Sequence, residues 1–203
     1  MHSVMHSTTD GRVVSDAKRA DGPILSRRAL IGGAIAGGAA LALPLPAMAA
    51  GAEWRLAIRN VHNNESVDAV FARGGQFMSD GLAELNHGLR DWRTGQVFAM
   101  DRRLLALLVQ LREKLEIRGG RKIDLISGYR SPQTNASLRA RGGEHTGVAS
   151  QSQHMLGKAA DIMIPGVPLD RLRGAALALG GGGVGFYPRD GFVHVDTGRV
   201  RHW

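Results

Sequence analysis

An α+β architecture follows from three features of this sequence. Leucine-rich stretches at helical spacing come early, short strand-like runs with an antiparallel turn come late, and glycine clusters separate them. The 203 residues are 43% hydrophobic and 22% charged, too apolar and too mixed in sign for a disordered chain. No internal repeat interrupts the pattern.

The first 49 residues stand apart. Ser26-Arg27-Arg28-Ala29-Leu30-Ile31 leads into an apolar, Gly/Ala-rich run over 34–45, and Ala47-Met48-Ala49 offers a small-residue exit. A basic region, an apolar region and an A-x-A exit make an export signal. Paired arginines just before apolar residues are its twin-arginine form. The apolar run is short for a bilayer, which needs about 20 residues, and Gly and Pro break it. Residues 1–49 are therefore expected to be removed, from a start at Met1 or Met5. The expected mature domain, 50–203, has no stable membrane span and resides in the periplasm. A twin-arginine signal also fits loading of a cofactor before export.

A hairpin is predicted over 54–71, with Leu56, Ile58 and Val61 on one side, Val67, Val70 and Phe71 on the other, and Asn63-Asn64 at the turn. Leu82, Leu85 and Leu89 predict a helix over 78–92. A stronger helix follows over 101–117, where Leu104, Leu105, Leu107, Leu108, Leu111 and Leu115 form an apolar face, Asp101 is the N-cap and Gly119-Gly120 the stop. A short buried strand over 123–126 runs into Ser127-Gly128-Tyr129-Arg130-Ser131-Pro132. Then come a short helix over 134–141, a polar loop over 142–152, and a strand over 159–164 containing Asp161. A helix over 169–179 ends at the glycines 180–183, and a last hairpin, 184–187 with 192–195, turns at Pro188-Arg189-Asp190-Gly191.

Composition narrows the chemistry. There are no cysteines, which excludes disulfides, a thiol nucleophile, a Cys-type zinc site and an iron–sulfur cluster. Any metal must be held by His, Asp or Glu. The net charge is +8, and falls to +6 once the five basic and three acidic residues of 1–49 are set aside. A basic exported domain suits anionic polymers of the cell envelope. No basic run is interleaved with aromatics, so nucleic acid is not an expected partner.

The chemistry concentrates in Ser152-Gln153-His154-Met155-Leu156-Gly157-Lys158-Ala159-Ala160-Asp161 and in Phe192-Val193-His194-Val195-Asp196. Two imidazoles and a carboxylate make a catalytic zinc set, leaving a fourth position for water. Metal coordination lowers the pKa of that water to about 7. Asp161 lies among Ala159, Ala160, Ile162 and Ile164, where a buried carboxylate needs a cation or hydrogen bonds.

Ser-Gly-Tyr-Arg-Ser-Pro at 127–132, His154-x-x-Gly157-x-Ala159-x-Asp161, and the run from Phe192 through His194 and Asp196 to Gly198 together resemble the M15 zinc peptidases. The resemblance spans about 54–203 and is to the exported, murein endopeptidase K-like branch. It implies a hedgehog/DD-peptidase-like fold, a small antiparallel sheet with helices packed around a zinc cleft. It makes His154, Asp161 and His194 the Zn²⁺ ligands. Arg130 would bind the substrate carbonyl or carboxylate and stabilise the oxyanion.

One position departs from that family. Many members carry a Glu three residues before the last His ligand, as general base; here it is Gly191. Asp196, two residues after His194 on the same strand face, is the first candidate for polarising the water or orienting the site. Fixing the His194 tautomer from behind is its other reading. Asp190 and Glu144 are alternative bases. Ser152 and Gln153 touch substrate or shape their loop, His145 faces the site or solvent, Tyr187 lines the cleft or packs the core, and Trp203 is read as capping the core.

The expected activity is zinc-dependent hydrolysis of peptidoglycan cross-links by a monomeric, exported endopeptidase. A D,D- or L,D-carboxypeptidase and a non-catalytic murein-binding module are the alternatives.

Overall fold

The computed structural model describes residues 51–117, 120–142 and 149–203. The predicted export signal, Gly119, and the loop residues Glu144 and His145 lie outside the described residues.

The first hairpin forms as predicted. Strands β1 (Glu53–Asn60) and β2 (Ser66–Arg73) are antiparallel, pairing Leu56 with Ala69 and Ile58 with Val67. The side chains of Asn60 and Asn63 accept from the backbone N–H groups of His62 and Glu65, and Asn64 takes φ 61°. Asn and Asp favour such turns because their side chains imitate a backbone carbonyl. Val61 falls in this turn, 40% exposed, instead of on the strand's apolar side. Strand alternation puts Ala69, not Val70, with the buried Phe71.

A short β3 (Gln76–Phe77) pairs with β2, and α1 (Ser79–Gly88) packs back across it. Helix α1 stops short of the predicted residue 92, with Leu89 as the buried C-cap. Helix α2 (Arg102–Lys114) is capped by Asp101, whose carboxylate accepts from the Arg103 N–H at 2.9 Å. It ends through Glu116 at φ 56°, ahead of the predicted glycine stop.

Strand β4 (Ile123–Ser127) joins β1 in parallel, and β5 (Ala159–Met163) pairs antiparallel with β4. Between them lies α3 (Pro132–Gly142), which starts two residues earlier than predicted. Ser131 caps it by accepting from the Thr134 N–H, and proline suits the first helical position because its missing N–H would be unpaired there. Helix α4 (Leu169–Leu179) ends at Gly180 in the left-handed conformation, and β6 (Gly183–Tyr187) and β7 (Phe192–Asp196) form the final hairpin. A short β8 (Arg201–His202) lies parallel to β6.

The result is one mixed sheet of eight strands in the order β3-β2-β1-β4-β5-β7-β6-β8. It is larger than the small antiparallel sheet expected, because the β1–β4 and β6–β8 pairs are parallel and join segments remote in sequence. Leu56, Ile58, Phe71, Leu85, Leu104, Leu108, Leu111, Ile123 and Ile162 form the centre of the core, all buried below 2% exposure. Each contributes about 1.5–3 kcal/mol by leaving water. Among the described residues no helix is long and apolar enough to cross a membrane.

Asp101 also accepts from the Thr197 hydroxyl at 2.9 Å, tying the N-terminus of α2 to the chain just beyond β7. Asp101→Ala removes both the cap and this tie. Urea denaturation is expected to show a loss of about 1–2 kcal/mol, the upper part of the range for a lost N-cap.

Candidate metal centre

The sheet register assembles the site. Asp161 on β5 stands opposite His194 on β7, and Ser127 on β4 stands opposite Asp161. His154 arrives from outside the sheet, on a 3₁₀ turn over Gln153–Leu156. Ser152 caps this turn by accepting from the His154 N–H. Gly157 closes it at φ 65°, where a Cβ would press on the Ala99 carbonyl and the Phe98 ring. Glycine is therefore required both by the left-handed backbone and by the close approach.

All three side chains are buried: His154 at 3% exposure, Asp161 at 5% and His194 at 8%. His154 Nε2 lies 3.2 Å from His194 Nδ1 and 3.3 Å from Asp161 Oδ2, and His194 Nδ1 lies 2.8 Å from Asp161 Oδ1. Ligands about 2.0–2.2 Å from a tetrahedral zinc are separated from one another by roughly 3.3 Å. The donor set therefore fits such an ion.

The outer faces of both rings are anchored. His154 Nδ1 is 2.7 Å from the Gly128 carbonyl, which can only accept, so this nitrogen carries the hydrogen and Nε2 faces inward. His194 Nε2 meets Asp196 Oδ2 at 3.0 Å, leaving Nδ1 to face inward. Backing of each ring by a carbonyl or carboxylate is the usual support of a metal-binding imidazole. Burial opposes charge on Asp161, but His154 and His194 outweigh it and hold the carboxyl below its usual range.

Asp196 is wholly buried. Its Oδ1 accepts from the N–H groups of Gly183 and Gly198 and from Arg201, and its Oδ2 accepts from His194 and from Arg201 at 2.7 Å. Burial pushes its pKa up, while His194, Arg201 and the two backbone donors more than reverse that. It lies behind His194, and the cavity in front of the three converging side chains does not include it.

That cavity has a volume of about 260 Å³ and is walled by Arg130, Tyr187, Asp190, Phe192, Arg201 and Trp203, together with the 3₁₀ turn. Arg130 is buried to 9% exposure, with Nη2 3.5 Å from Asp161 Oδ2 and 3.4 Å from the Ser127 hydroxyl. Burial draws its pKa down against the opposing pull of Asp161 and Asp91. Its Nε has no hydrogen-bond partner among the described residues. Trp203 does not cap the core; it is 47% exposed and forms part of the cavity wall, because β8 carries it across β6.

Two supporting residues escaped the sequence reading. Arg201 pairs with Asp196, which the argument applied to Asp161, that a carboxylate in an apolar strand needs a cation, would have demanded. Asp91, placed in the over-extended first helix, is a buried anchor. Its Oδ2 accepts from the Ser131 N–H at 2.9 Å and its Oδ1 from the Arg93 N–H at 3.0 Å. Ser131 adjoins Arg130, so Asp91 holds the backbone that carries the guanidinium.

A His/Asp/His donor set beside a buried arginine, on the central strands of an α+β sheet, is what the metallopeptidase class would require. Residues 48–203 match the family model described as Peptidoglycan L,D-endopeptidase MepK. The Peptidoglycan L,D-endopeptidase MepK of Escherichia coli (strain K12) is 44% identical over 180 residues, covering 87% of this chain and 96% of that protein. The Probable peptidoglycan L,D-endopeptidase MepK of Haemophilus influenzae is 40% identical over 148 residues, covering 73% of this chain and 77% of that protein. The chain belongs to this M15 peptidase family, and it is an enzyme of the metallopeptidase kind.

Burial raises the Asp91 pKa, but hydrogen bonds from Thr134, Ser131 and Arg93 outweigh it and take the group from 3.8 to about 2. A depressed carboxylate pKa adds stability that is present above pH 3.8 and lost as the pH falls through about 2. Asp91→Asn is expected to be about 2 kcal/mol less stable than the wild type near neutral pH, the gap closing toward pH 2. Urea melts across that pH range check it.

Proposed function

We propose that this chain is an exported, zinc-dependent murein endopeptidase that hydrolyses peptide cross-links of peptidoglycan. The observation that carries the proposal is the convergence of His154 Nε2, Asp161 and His194 Nδ1 within hydrogen-bonding distance of one another, beside Arg130. The names of the relatives support an L,D bond in the murein peptide as the target. The twin-arginine pattern in 1–49 supports delivery to the periplasm.

His154, Asp161 and His194 would hold the ion, which when bound supplies a water of lowered pKa and polarises the scissile carbonyl. Arg130, in the cavity wall with its guanidinium beside Asp161, receives the carbonyl oxygen as it gains charge. The water oxygen bonds to the carbonyl carbon, the C–N bond breaks, and the leaving nitrogen takes up a proton. Asp196 has both oxygens committed to donors, so its part is to fix the His194 ring and tautomer. Asp190, in the cavity wall on the turn before β7, is the carboxylate we assign to move the proton from water to the leaving amine.

Zinc-loaded protein and its His194→Ala variant, incubated with purified sacculi and defined cross-linked dimers, provide the test by mass spectrometry. Monomers formed only by the wild type are the expected outcome, with Arg130→Ala slower by about 10²–10³-fold in kcat. Release of a terminal residue without dimer cleavage would make the enzyme a carboxypeptidase. Binding without cleavage would leave a murein-binding module.

Asp196→Asn is expected to weaken zinc binding by about 10–100-fold, the usual effect of removing an outer partner of a metal ligand. Competition against a chromophoric chelator measures it.

A further inference from the structure

The cavity wall that includes Arg130 also carries an aromatic assembly, Tyr187, Phe192 and Trp203. Trp203 is paired with β6 through its backbone, donating to the Val184 carbonyl at 3.2 Å and accepting from the Phe186 N–H at 3.0 Å. Its indole crosses Gly185, where a Cβ would collide with both the indole and the Tyr187 ring. Arg201 lies 4.9 Å from one side of the indole, and the His194 ring is centred 5.3 Å away. Tyr187 stacks on Phe192 at 4.6 Å. Both aromatic rings are thus held in place, yet Trp203 keeps 47% of its surface exposed.

The indole Nε1 donates to Tyr187 Oη at 2.7 Å. An indole N–H can only donate, so it occupies an acceptor position of the phenol. The phenol's own hydrogen is then left to donate, and no described residue accepts it. Tyr187 lies in the wall of the same cavity as Arg130. A donor held rigidly on a reaction cavity, with its acceptor side already filled, is arranged to meet an oxygen of the substrate.

We propose that Tyr187 is a further catalytic residue, whose hydroxyl donates to the scissile carbonyl oxygen together with Arg130, and that Trp203 is the residue positioning it. No proton leaves the phenol; the hydrogen bond strengthens as the carbonyl oxygen becomes an oxyanion and relaxes when the C–N bond breaks. The inference rests on the endopeptidase reading of the site. It also gives Gly185 a reason: only a residue without a side chain lets the indole lie against β6 and reach the phenol.

The test is a double-mutant cycle on the zinc-loaded full chain, with Tyr187→Phe, Trp203→Phe and the double variant acting on a defined cross-linked dimer. Tyr187→Phe is expected to lower kcat by about 100-fold with KM within about threefold, as for a lost oxyanion donor. Trp203→Phe keeps an aromatic wall but loses the N–H, and is expected to lower kcat by about 5–10-fold. The double variant should match Tyr187→Phe within about twofold, since the indole acts through the phenol. Zinc affinity and melting temperature should stay at wild-type values in all three.

Wild-type kcat in Tyr187→Phe overturns the proposal, as do losses that multiply in the double variant. A fall in zinc affinity large enough to explain the lost rate also overturns it, by making the pair structural. Absence of turnover in the wild type overturns the endopeptidase reading and this inference with it, whereas an active wild type with an equally active Tyr187→Phe sinks this inference alone.

Discussion

Two buried carboxylates on either side of one imidazole govern this molecule. Asp161 meets His194 Nδ1 and Asp196 meets its Nε2, all three in the sheet interior at or below 8% exposure. Taking an ionised carboxylate out of water costs several kcal/mol even after the protein relaxes. The two groups answer that cost differently. Asp196 is fully compensated by Arg201, two backbone N–H groups and His194. Asp161 has the two imidazoles and a longer, 3.5 Å ion pair with Arg130 but no backbone donor among the described residues, the arrangement of a group with room to share its charge with a cation.

Everything else serves to hold that pair in register. Pairing of β5 with β7 sets Asp161 opposite His194, and Gly128, the residue just after β4, supplies the carbonyl that orients His154. Gly128 itself packs so closely on the Leu89 carbonyl that a side chain has no room there, which fixes the end of α1 against the site. Asp91 then extends the same support to Ser131, and Asp101 reaches Thr197 just past β7. The N-terminus of α2 is thereby tied to the chain that carries His194 and Asp196.

The convergence of His154, Asp161 and His194 was legible because such side chains leave a local signature: a charged residue in an apolar strand, and histidines within short, glycine-punctuated segments. Helices α2 and α4 were legible because their periodicity is local too. The parallel β1–β4 and β6–β8 pairings were not, since they depend on which remote segments meet after collapse. The same limit explains Arg201 and Trp203. Each looks like an ordinary tail residue until β8 folds along β6 and brings one to Asp196 and the other over Gly185. Asp91 was concealed differently: its place near the end of a leucine-periodic stretch made it look like one more helical position.

Gly191 shows how backbone geometry redirects chemistry. It sits at φ 77° in the turn between β6 and β7, a conformation that glycine adopts freely and a glutamate adopts only under strain. A carboxylate at 191 and this tight turn are therefore in conflict. The turn is what brings Phe192 into register with Tyr187, and that register stacks the two rings at the cavity wall. On the proposed mechanism the proton-carrying carboxylate is Asp190, the adjacent residue, already in the wall of the cavity. In this hairpin Gly191 supplies the left-handed turn, and the Tyr187–Phe192 stack that the turn registers forms part of the cavity wall.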